Sequence, residues 1–261
     1  MSACETWRQA LFSWEIPASI LAQAPESPWF VPASVLRGSD GRATVSHQRA
    51  LAALPAGGSV LDVGAGTGAM SRPLRERAER IVAVDTVAER LAAFDFDVRI
   101  VGTWPDVAAS AGRVDVAVCG HVFYNVPDLA PFVTALDAAA QRRVVVEITA
   151  RHPRAVDEEC ALWQHFWGID RPTGPTWEDA QAVLQECGVD PSVERWRNPK
   201  RGAFDTLDDL VAATRRRLCL TSDHDAELGD ILRGIAVRSD QGWMLGDPEV
   251  DLVTFWWEAS G

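Results

Sequence analysis

No apolar run in this chain reaches the roughly 18 residues that a spanning helix needs, and no basic start followed by an apolar stretch opens it. Both absences predict a cytoplasmic protein without a membrane partner. Cysteine is sparse and unpatterned. Cys4, Cys119, Cys160, Cys187 and Cys219 are odd in number and form no C-x-x-C pair, so neither a disulfide framework nor a zinc site is implied. His47, His152, His165 and His224 lack the His-x3-His spacing of helical zinc pairs, so no metal is expected and surface or capping roles are the simplest for them. Positive charge is also in short supply. A net charge of −12 weighs against a surface that tracks phosphates, and no nucleic-acid partner is expected. The Arg-Arg-Arg run at 215–217 falls in a helix opened by Asp205 and Asp208, where it complements the dipole of the helix C-terminus. Internal repeats and low-complexity segments are absent.

What the chain does have is enough length, 261 residues, for one substantial core plus a cap. Residues 58–68 read Gly-Ser-Val-Leu-Asp-Val-Gly-Ala-Gly-Thr-Gly, a short apolar strand running into alternating glycines. Glycine lets the backbone take positive φ and come close to a ligand, and a helix starting near Ala69 would aim its free N–H groups there. Through Gly64, Gly66 and Ala69 the spacing also fits the dinucleotide pattern G-x-G-x-x-A. Asp62 argues for another ligand, because a carboxylate beside the turn repels a pyrophosphate and attracts an ammonium group. The following strand ends in Asp85, about 20 residues past the turn, where an acid accepts hydrogen bonds from both ribose hydroxyls.

Asp62, Gly64, Gly66 and Gly68 match D/E-x-G-x-G-x-G, and in this the chain resembles the class I S-adenosylmethionine-dependent methyltransferases. The resemblance covers residues 55–150. It implies S-adenosylmethionine as cofactor and S-adenosylhomocysteine as product. On that reading Asp62, Gly64, Ala65, Gly66 and Gly68 seat the methionine portion, Asp85 and Thr86 the ribose, and Thr103 with Trp104 the adenine. Gly120 and His121 then lie on the sulfonium side.

Alternating strands and helices predict an α/β, Rossmann-like doubly wound sheet. Strands are expected at 59–63, 81–85, 98–101, 114–119, 143–148 and 192–197, with helices at 69–78, 87–94, 129–139, 161–167, 176–187, 206–218 and 224–234. A seventh strand, 250–257, is inserted antiparallel if the resemblance holds. Residues 1–50 form an N-terminal helical cap segment, helical over 7–21 up to Pro17, and carry Trp7, Trp14, Trp29 and Phe30. Residues 51–261 form the Rossmann-like domain, with cap insertions at about 151–175 and 199–247.

Beyond the fourth strand, Cys-Gly-His-Val-Phe-Tyr-Asn-Val-Pro (119–127) lies where doubly wound sheets bind ligands. The segment resembles the H-V-L-Y-H type sequence of small-molecule methyltransferases. His121 either acts as a general base or only walls the cofactor pocket, and Tyr124 is the second catalytic candidate. Glu147 either faces the acceptor or pairs with Arg151. Trp104 would flank the adenine, and Trp14, Trp29, Trp163 and Trp167 either wall an acceptor pocket or pack the cap.

The expectation is a methyl transfer to an oxygen or nitrogen of a small molecule, such as a secondary metabolite, by in-line displacement. An acidic, aromatic-rich surround suits a neutral or cationic acceptor. Alternatives are a NAD(P)-dependent oxidoreductase, which would lack a Tyr-x-x-x-Lys pair because Tyr124 is the one tyrosine, a methyltransferase acting on protein or RNA, and a binding protein without catalysis.

Overall fold

A computed structural model describes residues 1–29, 43–200 and 202–260; Phe30 lies outside them. Runs of β-branched residues become strands and the intervening apolar periodicities become helices. The strands are β1 (Gly58–Val63), β2 (Ala78–Asp85), β3 (Val98–Val101), β4 (Val114–Gly120), β5 (Ala140–Thr149), β6 (Ser192–Pro199), β7 (Val237–Ser239), β8 (Gly242–Met244) and β9 (Glu249–Glu258). The helices are α1 (Ala3–Phe12), α2 (Ala18–Leu21), α3 (Val45–Ala53), α4 (Ala88–Leu91), α5 (Ala108–Ala111), α6 (Leu129–Ala139), α7 (Asp157–Trp167), α8 (Trp177–Glu186), α9 (Leu207–Arg217) and α10 (Asp225–Ile235).

Seven strands form one sheet in the order β3-β2-β1-β4-β5-β9-β6. All neighbours from β3 to β5 are parallel, and β9 runs antiparallel between β5 and β6. Strand order reverses between β1 and β4, so the crevice beyond their carboxyl ends is the expected ligand site. The glycine turn and the His121 loop both open into it. β4 is buried on both faces, as a continuous apolar strand requires. One face of the sheet packs against α1, α6 and α8, and the other against α3, Leu74 and Leu91. A separate cluster of α2, α7, α9, α10 and Leu245 forms a helical cap. The β7–β8 ribbon, which the sequence reading leaves out, adjoins it through Trp243.

Three expected helices are shorter than their patterns. The helix expected at 69–78 is absent: the chain makes a 3-10 turn at Arg72–Leu74, and β2 begins at Ala78 opposite Gly58. Pro73 has no N–H to donate, and pairing from Ala78 leaves residues 69–77 as a compact connection. The glycine turn therefore lacks a long helix behind it. Main-chain bonds to β2 hold it instead, Gly64 N–H and Ala65 N–H both donating to the Val84 carbonyl at 2.8 and 3.0 Å. The helix expected at 87–94 shrinks to α4, whose trailing carbonyls on Leu91 and Phe94 accept from the Arg99 guanidinium. The helix expected over 7–21 stops at Ser13, and Pro17 instead caps α2.

α1 bears directly on the site. Trp7 is fully buried, stacks on Tyr124 at 5.5 Å and donates its indole N–H to the Val126 carbonyl. One aromatic anchor thus ties the N-terminal segment to the loop after β4. Burial of an aromatic side chain of this kind stabilises by roughly 2–3 kcal/mol. Arg215, Arg216 and Arg217 each meet a carboxylate within the chain, on Asp225, Glu26 and Glu159. That triplet is part of the cap's own ion-pair network.

Candidate active site

The two loops that meet at the crevice fit into one another. Gly64 has φ +71, and a Cβ there would come within 2.2 Å of Val122 Cγ2, in the loop after β4. Conversely, a Cβ on Gly120 would meet Met70 Cγ at 2.5 Å, in the segment after the glycine turn. Glycine at both positions lets the backbones approach. At Gly66, also in the left-handed region, a Cβ would meet no atom within 4 Å, so the turn presents bare backbone to open space.

Beneath the turn, Asp62 is 0% exposed. Neither of its carboxylate oxygens has a hydrogen-bond partner, and the equally buried Ser71 hydroxyl also lacks one. Burial pushes the Asp62 carboxyl up to about 7; nearby Ser71 dipoles pull it down without the alignment of a hydrogen bond, and Asp85 raises it further. Polar groups left in this state are costly. The missing partner is a cation or donor, which is what the ammonium of an amino-acid moiety supplies.

Asp85 closes the other side. Its Oδ2 accepts from Gly66 N–H and its Oδ1 from Val87 N–H, both at 2.9 Å, so one carboxylate shapes the turn and retains lone pairs for a ligand's hydroxyls. Thr86 and Thr103 lie exposed at the ends of β2 and β3. Asp85→Ala removes the carboxylate that holds the turn and is expected to weaken S-adenosylhomocysteine binding by about 1–3 kcal/mol. Titration calorimetry reads that loss, and unchanged affinity would take Asp85 out of the site.

Trp104 corrects the sequence reading. Its ring is buried in the core, where the indole N–H donates to the Phe132 carbonyl of α6 at 3.1 Å, so it is not available to stack on a flat ligand. An indole adjoining an apolar layer gains more by burial there than by standing at a loop edge. Tyr124 is corrected as a catalytic candidate: its hydroxyl donates to the Thr149 carbonyl at 2.8 Å, and burial raises its pKa further out of range. It serves as a wall.

His121 and Glu147 come together. His121 Nε2 lies 3.1 Å from Glu147 Oε1, and its own N–H donates to the Glu147 carbonyl at 2.7 Å, because Gly120 and Glu147 are register partners on β4 and β5. The residue takes φ +59, a left-handed conformation that costs a non-glycine residue of order 1 kcal/mol and is retained where it aims a side chain. Half of the imidazole is exposed, whereas Glu147 is 6% exposed. Burial would raise the Glu147 carboxyl, but the hydrogen bond and charge of His121, with help from Ser46 and His47, hold it below its ordinary value. Thr44 adds a donor to Oε2 at 3.3 Å. Arg151, the alternative partner, pairs with Asp157 instead.

The aromatic candidates separate. Trp14, Trp29 and Tyr124 line one cavity of about 350 Å³, together with His152, Asn125 and Arg154. Trp163 is buried behind it, sharing Arg171 with Trp14, and Trp167 binds the Leu218 carbonyl inside the cap. Those two pack the cap and do not line the cavity. His152 is the residue the sequence reading missed: neither surface nor cap, it stacks on Trp14 at 4.3 Å and meets Tyr124 edge-on. Lone histidines carry no spacing signal, so only the packing reveals it.

Residues 40–187 match the sequence model of the family described as "Methyltransferase domain". No curated protein matches the chain. Among solved structures, it is similar to a proposed methyltransferase of Bacillus halodurans C-125, at 15% identity and a TM-score of 0.52 over 83% of this chain and 97% of that one. It is also similar to the YcgJ protein of Bacillus subtilis, at 12% identity and a TM-score of 0.50 over 83% and 98% of the two chains. At these identities the likeness is one of fold.

Proposed function

Because the chain belongs to the methyltransferase domain family and is an S-adenosylmethionine-dependent methyltransferase, we propose that it methylates an oxygen or nitrogen of a small molecule with His121 as general base. The observation that carries this reading is the His121–Glu147 pair, held at the carboxyl ends of the neighbouring strands β4 and β5. When bound, S-adenosylmethionine supplies an electrophilic methyl group on a sulfonium whose positive charge is lost on transfer.

The unpartnered Asp62 carboxylate fits an ammonium, the bare turn at Gly66 fits a close ligand backbone, and Asp85 fits a ribose diol. These residues would hold the cofactor; the chain's remaining contribution is to orient the acceptor and take its proton. Glu147 accepts from Nε2–H of His121, which leaves Nδ1 as the basic nitrogen. Acceptor O–H or N–H loses its proton to Nδ1 as its lone pair moves to the methyl carbon, and the buried carboxylate stabilises the imidazolium that results. Alignment and exclusion of water supply much of the remaining rate. All five cysteines are unpaired, and no described helix is long and apolar enough to cross a membrane, which supports a cytoplasmic site of action.

Calorimetric titration of the full chain with S-adenosylmethionine, S-adenosylhomocysteine and NAD tests the premise. Saturable binding of both sulfur ligands and none of NAD is expected. Binding of NAD alone would sink the assignment and favour an oxidoreductase.

A further inference from the structure

The cavity lined by Trp14, Trp29, Tyr124 and His152 is close to balanced in charge, unlike the strongly acidic chain as a whole. Among the described residues its one lining cation is Arg154 and its one lining carboxylate, Glu15, is exposed. Behind this wall Arg154, Arg171 and Arg217 surround a single acid, Glu159. Glu159 is already taken, since its Oε2 lies 2.8 Å from Arg217. Arg171 is likewise occupied, donating to the Trp14 and Glu15 carbonyls between the rings of Trp14 and Trp163. Arg154 differs. Among the described residues its guanidinium has no ion pair and no hydrogen-bond acceptor, and the Trp29 ring lies 3.8 Å from Cζ.

A guanidinium in this setting is expensive. Burial, with the neighbouring Arg217 charge, pulls Arg154 down to about 10 against the nearby Glu159 carboxylate, so it remains protonated at neutral pH while Glu159 is ion-paired to Arg217. His152 adds no second charge, because burial and the flanking Arg154 and Arg171 hold its imidazole down to about 4. The cavity therefore offers flat aromatic walls and one unspent fork of N–H donors. That fork matches a planar carboxylate, two oxygens to two N–H groups. Tyr124 and Asn125 follow His121 in the same loop, and the Tyr124 hydroxyl is tied to Thr149, at the end of the strand that carries Glu147. A ring seated here has its acid end at Arg154, and the loop that carries Tyr124 and Asn125 connects the cavity wall to the end of β4.

We propose that the methyl acceptor is an aromatic carboxylic acid whose carboxylate is bound by Arg154. This rests on the methyltransferase reading and reverses the expectation, drawn from overall charge, of a neutral or cationic acceptor. Net charge is a sum over the whole surface, whereas recognition is set by the few groups that face the ligand.

The test is direct binding, independent of turnover. The full chain, saturated with S-adenosylhomocysteine, is titrated with 4-hydroxybenzoate, 4-hydroxycinnamate and their carboxamides. At least one acid is expected to bind about ten- to a hundredfold more tightly than its amide. Arg154→Gln should remove that preference, and Arg154→Lys should restore part of it, while both variants keep wild-type affinity for S-adenosylhomocysteine, which also shows that they fold. Equal binding of acid and amide, no saturable binding of either acid, or an acid preference that survives in Arg154→Gln would each overturn the proposal. Failure of S-adenosylhomocysteine to bind the wild-type chain would instead count against the methyltransferase reading itself.

Discussion

Asp62→Asn is expected to stabilise the cofactor-free protein and to weaken cofactor binding strongly. The physics is one of linkage. Burial raises the folded-state pKa to about 7 against an ordinary value of 3.8. Between those values the folded chain holds a proton that the unfolded chain has released. Stability therefore falls as pH climbs through this window, and the penalty is complete above about 7, reaching roughly 4 kcal/mol. Asparagine carries no charge but leaves a buried amide unpaired, so the expected gain in unfolding free energy at pH 8 is roughly 1–3 kcal/mol, shrinking toward pH 4. Denaturant unfolding across this pH range measures it. Loss of the carboxylate should meanwhile weaken S-adenosylhomocysteine binding about a hundredfold or more. For the wild-type chain, binding below pH 7 should release a proton, visible as a dependence of calorimetric enthalpy on buffer. Unchanged stability at pH 8 together with intact cofactor affinity would remove Asp62 from this role.

The second large effect concerns the dyad. His121→Asn is expected to lower kcat/KM about 10²–10⁴-fold, the usual worth of a positioned general base, with a much smaller change in cofactor affinity. Glu147→Gln should lower it by about tenfold, mostly in kcat, with cofactor affinity unchanged. Glu147 is a positioning residue, and a loss in kcat with cofactor affinity retained distinguishes that role from a packing defect. A His121→Asn enzyme that turns over within about threefold of wild type would show that alignment alone carries the reaction.

Much of this was legible before any coordinates. β3 and α6 fall on the expected residues, and β4 and α8 differ by one residue at their ends, because continuous apolar runs and a Thr176–Asp179 capping box are local signals. The connection after Gly68 was not legible: its composition permits a helix, and only pairing of Ala78 with Gly58 consumes the residues a helix needs. Trp104 was misread for a related reason, since a tryptophan at a strand end is equally compatible with solvent and core until α6 closes over it.

The sequence by itself determined the cofactor end of the site, because a strand, a glycine turn and two acids at fixed spacing are close along the chain and their chemistry follows from that spacing. Only the tertiary structure brings together the residues of the proposed acceptor end. His121 meets Glu147 through strand register, and Trp14, Tyr124, His152 and Arg154 converge from segments far apart in the chain. Contacts made across such separations are set by packing, and no local pattern encodes them.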